Sequence, residues 1–194
     1  MKEIKIDLLA DLNNMSIVYG LLKENGIKLF LDQADSIEKN LNGNPFNADV
    51  DLTDYKNFIN QKMPYYLRNT IFLLYFSGLE EVISILYLSE NSEENKLDNG
   101  YGILRFKTYI KEKYSGDLST FKEYQTISEF QRVRNALLHA GGRVDLAKDK
   151  KIINDFVKKY KSYFSIENGK LLISEQGVNV LKDTIVNFLK ALEV

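Results

Sequence analysis

No proline follows Pro64. Most of the chain is therefore free to run as helix, because proline is the residue that removes the amide proton a helix interior needs. The apolar residues use that freedom. After Pro64, which suits the first turn of a helix, Leu67, Ile71, Leu74, Leu79, Val82, Ile83 and Leu86 recur mostly at helical steps and predict one long buried stripe. Leu8, Leu9, Leu12, Met15, Val18, Leu21 and Leu22 make a similar stripe earlier, which Asn25-Gly26 is expected to end. Residues 28–41 form a second, weaker helical segment. Asn42-Gly43-Asn44-Pro45 then reads as a breaker, and the acidic stretch 47–54 as a loop.

Downstream, the polar run 90–102 reads as a surface loop, and 103–114 as a short helix ended by Ser115-Gly116. Thr120 with Glu123, and Thr126 with Glu129, have capping-box spacing. The second pair is predicted to open a helix that Gly141-Gly142 closes with a left-handed turn. Residues 150–163 predict an amphipathic helix with Ile152, Ile153, Phe156 and Val157 inward. Asn168-Gly169 predicts the tip of a small hairpin over 164–173. Ser174 is placed to cap a last helix that buries Val178, Leu181, Ile185, Phe188, Leu189 and Leu192. The expected fold is all-α, a helical bundle with one β-hairpin before the C-terminal helix, formed by residues 1–194 as a single domain.

Composition removes several chemistries. With no cysteine there is no disulfide, thiolate site or cysteine nucleophile. One histidine leaves a protein-built zinc or iron site unexpected, so no metal and no cofactor are predicted. A net charge of −1 argues against a wholly basic surface, though a local basic site can still steer a phosphate. The most apolar stretch, 71–88, is broken by Ser77, Gly78, Glu80, Glu81 and Ser84, and reads as a core helix with no membrane span. The start of the chain lacks the apolar core of a signal peptide, so a cytoplasmic location is expected.

The chemistry concentrates at Arg134-Asn135-Ala136-Leu137-Leu138-His139, which holds that single histidine. Asn135 lies one helical turn before His139, so the two side chains share a face. Arg134 stands about 140° from His139 around an ideal helix and reaches their side only through its length. Guanidinium binds phosphate oxygens in pairs, and imidazole moves protons near neutral pH, so a phosphodiester is the natural target. A dipole-compensating histidine beside a solvated arginine is the blander alternative. Arg132 and Arg143 flank the motif as candidates for RNA phosphate contacts, weighed against plain surface charge. Glu80 is a candidate supporting carboxylate, while Glu81 reads as an exposed step. Lys148, Lys150, Lys151, Lys158, Lys159 and Lys161 read as a solvated face before an RNA-guiding one. Gly100-Tyr101-Gly102 is a loop too short to cradle phosphate, and the tyrosines show no stacking pattern.

The run from Val133 to Asp145 resembles the signature of the HEPN superfamily (higher eukaryotes and prokaryotes nucleotide-binding domain), in which arginine is followed four to six residues later by histidine. Asn135 fills the polar place after the arginine, and the earlier Leu79-Glu80 on an aromatic-rich helix is similar too. The resemblance covers 64–194, with 1–60 as an N-terminal helical extension. It implies metal-independent cleavage of RNA by attack of the 2′-hydroxyl. His139 would be the acid–base residue, Arg134 would stabilise the transition state, and Asn135 would orient phosphate or imidazole. The expected partners are RNA and a second copy of the chain completing a composite site, in a toxin–antitoxin, phage-defence or RNA-processing setting with an antitoxin or regulatory protein. Some toxin branches carry a nucleotidylated tyrosine where this chain has Gly141, so that control is not carried over. Other members of the superfamily are non-catalytic modules that bind nucleotide, RNA or protein, and this is the alternative reading.

Overall fold

A computed structural model describes residues 2–42, 52–90 and 97–192, with side chains from residue 10 onward. The predicted breaker at 43–45, the acidic loop as far as residue 51, and residues 91–96 of the next loop lie outside the described residues.

The N-terminal helix α1 (Lys2–Leu21) does not stop at Asn25-Gly26. It passes through a wide turn, Leu22–Gly26, in which Ile27 N–H donates to Leu22 O five residues back, and continues as α2 (Ile27–Asn42). A π turn admits an extra residue without breaking the ladder, and it shifts the phase of the helix faces. The buried face also differs from the predicted one. Leu12 is buried, Met15 and Tyr19 pack on the core, and Ser16 Oγ hydrogen-bonds Tyr75 OH at 2.5 Å. Val18, Leu21 and Leu22, expected inward, are exposed. Which side of a largely apolar helix turns inward is set by the surface it meets.

Pro64 does not open a helix either. The short α3 (Thr53–Asn57) runs through a second wide turn, Phe58–Lys62, into α4 (Met63–Glu90). Met63 N–H bonds Phe58 O, and Pro64 comes next with no N–H to place. A π turn beside a proline is a recognised way to absorb that missing bond. The continuous run Thr53–Glu90 is long and apolar enough to cross a membrane by length and composition alone. Within the protein its Ile71, Phe72, Tyr75, Phe76, Leu79, Val82, Ile83 and Leu86 are buried, with Leu74 the predicted core residue that is exposed.

A 3-10 turn at Gly102–Phe106 leads into α5 (Lys107–Tyr114), which ends at Ser115 in the left-handed region with φ 53°. The next helix, α6 (Lys122–Ala140), carries the motif. Neither capping box forms. Phe121 occupies the N-cap without a side-chain bond, Thr120 Oγ1 donates back to Asp117 O at 2.8 Å, and Thr126 Oγ1 donates to Lys122 O at 3.0 Å inside the helix. Glu129 is taken by the following helix instead, accepting from Lys159 Nζ at 2.7 Å and Tyr160 OH at 2.5 Å. The helix begins one turn earlier because Tyr124 and Ile127 are buried, and that burial outweighs a surface cap worth about 1 kcal/mol.

Local signals succeed at the other end. Gly141 is left-handed at φ 56°, and Gly142 N–H reaches back to Ala136 O at 3.0 Å, closing α6. Then come α7 (Lys150–Lys159), strands β1 (Phe164–Glu167) and β2 (Lys170–Ile173), and α8 (Glu175–Ala191). The strands pair antiparallel with Phe164 opposite Ile173 across Asn168-Gly169, both at positive φ as the tight turn requires. Ser174 Oγ caps α8 by accepting from Gly177 N–H at 3.0 Å. The described chain is thus all-α with one small hairpin before its last helix. Ile152, expected inward on α7, is exposed.

The core sits where α4, α6 and α8 meet, with α1 against α4. Phe130 of α6 is its hub, lying edge-on to Phe156, Tyr160 and Phe164 at 5.2–5.6 Å between ring centres. On the other side Phe121 stacks between Tyr114 at 4.0 Å and Phe188 at 5.3 Å. With Phe121, Phe130, Val133 and Leu137 all buried, the rotation of α6 is fixed, and with it the direction of the motif.

Candidate functional site

That rotation separates the motif residues by role. Arg134 falls on the side of α6 nearest α4, where its side chain is 20% exposed and its Nη2 lies 3.3 Å from Glu80 Oε2. Its Nη1 donates to Asn135 Oδ1 at 3.2 Å. The guanidinium is therefore held between a carboxylate from α4 and an amide from its own helix, with its other N–H groups left for an anion. His139 stands on the exposed side near the end of the helix.

These residues share one cleft of about 540 Å³, a size that suits a small ligand or a nucleotide. Arg132, Arg134, Asn135 and His139 line it from α6. Leu146, Lys148 and Asp149 line it from the segment between α6 and α7, and Tyr101 lines it from the segment before α5. Arg132, Arg134 and Lys148 outnumber the single carboxylate of Asp149, so the lining favours an anion.

Arg143, the other flanking arginine, does not join this group. It binds Asp145 with two parallel bonds, Nε to Oδ1 at 2.9 Å and Nη2 to Oδ2. The guanidinium holds the Asp145 carboxyl below the usual carboxylate range. Arg143 lines a second, more open recess of about 370 Å³ with Lys62, Tyr65 and Lys170. Glu81 is exposed, whereas Glu80 is the carboxylate that Arg134 contacts.

Three participants are not legible as such in the sequence. Lys148, read as part of a solvated face, lines the cleft. Gln131, one turn before Arg134, is 3% exposed, and neither its oxygen nor its nitrogen has a hydrogen-bond partner among the described residues. Gly102 is pressed against both Gln131 and Glu80: a Cβ on Gly102 would sit 2.5 Å from Gln131 Nε2 and 2.7 Å from Glu80 Oε1. Tyr101, read as loop, is carried to the cleft by that close approach. The paired glycines around one aromatic are the signal the sequence offers.

The chain matches no family model, no curated protein and no solved structure.

Proposed function

We propose that the chain is a metal-independent endoribonuclease of the HEPN type, acting as a homodimer. The observation that carries this reading is the meeting of Arg134, Asn135 and His139 in one cationic cleft, with Arg134 braced by Glu80. The chemistry follows from those groups. The 2′-hydroxyl of RNA attacks the adjacent phosphorus, the P–O5′ bond breaks, and the products are a 2′,3′-cyclic phosphate and a 5′-hydroxyl. An imidazole takes the 2′-hydroxyl proton and an imidazolium returns one to the departing O5′. Arg134 meets the charge that builds on the phosphoryl oxygens, where one preplaced donor is worth about 3–4 kcal/mol.

Two proton transfers ask for two acid–base groups, and each chain has one histidine. A second copy supplies the other. Leu138, which stands beside His139 and is 49% exposed, offers an apolar contact for that pairing.

Incubation of the purified protein with end-labelled RNA in EDTA tests the reading. Wild type is expected to yield cyclic-phosphate ends, His139→Ala none, and Arg134→Ala and Glu80→Gln progressively more. Cleavage by His139→Ala at the wild-type rate would refute the enzymatic role. The alternative, a binding module, is favoured by the exposure of His139 within a single chain. It predicts that Arg134→Ala weakens RNA binding while no cyclic-phosphate end appears with any variant.

A further inference from the structure

The geometry points to Tyr101 as a stacking platform for an unpaired nucleobase next to the phosphate held by Arg134, which makes single-stranded RNA the substrate of this cleft. The inference rests on the ribonuclease reading and adds a base subsite to it.

Tyr101 is 79% exposed, more than any other large apolar side chain among the described residues. Its exposure does not come from a loose loop. On one side, Asp98 N–H bonds Arg105 O at 3.0 Å, and Asp98 Oδ1 accepts from the Thr108 hydroxyl at 2.8 Å. On the other side, Gly102 at φ 58° lies on Gln131 and Glu80, and Ile103 and Phe106 are buried. The backbone is pinned at both ends while the ring projects.

The pin is also the link to the site. Gly102 touches the carboxylate that holds Arg134, so the ring and the guanidinium are fixed in one frame. Leu146, 71% exposed, also lines the cleft, on a turn closed by Val144 N–H to Gly169 O at 2.8 Å and Ala147 N–H to Val144 O at 3.2 Å. A cleft lined by Arg132, Arg134 and Lys148 together with an exposed aromatic ring and an exposed apolar side chain matches a nucleotide: an anion, and a flat base with two apolar faces. A duplex keeps those faces stacked within itself and cannot offer them.

The test uses the full chain with a short fluorescent 2′-O-methyl oligoadenosine, which carries no 2′-hydroxyl to attack, and reads binding by anisotropy. Tyr101→Ala is expected to weaken binding about tenfold, and Tyr101→Phe to bind as wild type. Oligonucleotides with one abasic position are then scanned. At one position the loss should be about tenfold for wild type and absent for Tyr101→Ala, because the ring has no base left to lose. The same sequence as a duplex should bind more weakly than the single strand. Equal affinity of wild type and Tyr101→Ala, or an abasic penalty equal in both proteins, overturns the stacking role while leaving the cleft's RNA binding intact. Failure of wild type to bind either form overturns the ribonuclease reading together with the subsite.

Discussion

Gly102 and Gly141 make a matched pair for measuring what holds Glu80 and Arg134 in place. Their backbones are nearly the same, at φ 58° and 56°, so an alanine at either position meets the same left-handed strain, about 1–2 kcal/mol. They differ in what surrounds the new methyl. At Gly141 nothing lies within 4 Å. At Gly102 the Cβ would sit 2.5 Å from Gln131 Nε2, 2.6 Å from Gln131 Oε1 and 2.7 Å from Glu80 Oε1. Both neighbours are ends of flexible side chains, but neither can move freely. Gln131 is enclosed at 3% exposure, and Glu80 can retreat only by leaving Arg134. Overpacking of that kind costs a further ~1–3 kcal/mol. Gly102→Ala should therefore lose about 2–5 kcal/mol and Gly141→Ala about 1–2 kcal/mol.

Urea unfolding followed by far-UV circular dichroism reads the difference. With a slope near ~2 kcal/mol per molar, the Gly102→Ala midpoint should fall about 0.5–1.5 M below that of Gly141→Ala. Shortening the obstructing side chain should then restore part of the loss, so Gly102→Ala in a Gln131→Ala background is expected to cost less than in wild type. Equal midpoints for the two alanine variants would refute the claim that Gly102 is packed onto the Glu80–Gln131 pair.

Two further outcomes concern the frame around the motif. Burial pushes the Glu129 carboxyl up, but hydrogen bonds and charge from Lys159, with the Tyr160 hydroxyl, outweigh it and leave it below the usual carboxylate range. Its contribution is then fully present above its unfolded value of about 4.3 and is lost as pH falls through the lower folded value; with Lys159 well exposed it amounts to about 1 kcal/mol, so wild type should lose stability more steeply than Glu129→Gln when thermal unfolding is followed on acidification below pH ~4.3. Ser174→Ala removes the bond to Gly177 N–H and should cost about 1 kcal/mol in urea unfolding, whereas Ser174→Asp should retain most of it.

Features of this fold that depend on a few adjacent residues are legible in the sequence alone. Asn168-Gly169 demands a tight hairpin, Gly141-Gly142 a left-handed stop, and Ser174 a cap, and each is found there. Steric and hydrogen-bonding constraints of that range are complete within the local sequence. The capping boxes at Thr120 and Thr126 have equally good local spacing and do not form: core burial of Tyr124 and Ile127 starts the helix at Lys122, ahead of Thr126, and the Thr120 hydroxyl turns back to Asp117 O. Gly26 and Pro64 mislead for a related reason: a helix held by tertiary packing tolerates a wide turn where an isolated helix would end.

The site divides along the same line. Sequence alone places Arg134, Asn135 and His139 on one helix and puts Arg134 off the face of the other two. Tertiary structure resolves that mismatch by bringing Glu80, 54 residues away, to hold the guanidinium beside Asn135. It also brings Tyr101 to the cleft and sets Arg143 in the other recess beside Lys62 and Tyr65. Spacing along a helix determines which side chains share a direction; which distant groups meet them depends on how the helices pack, and Phe121 and Phe130 fix that packing from inside the core.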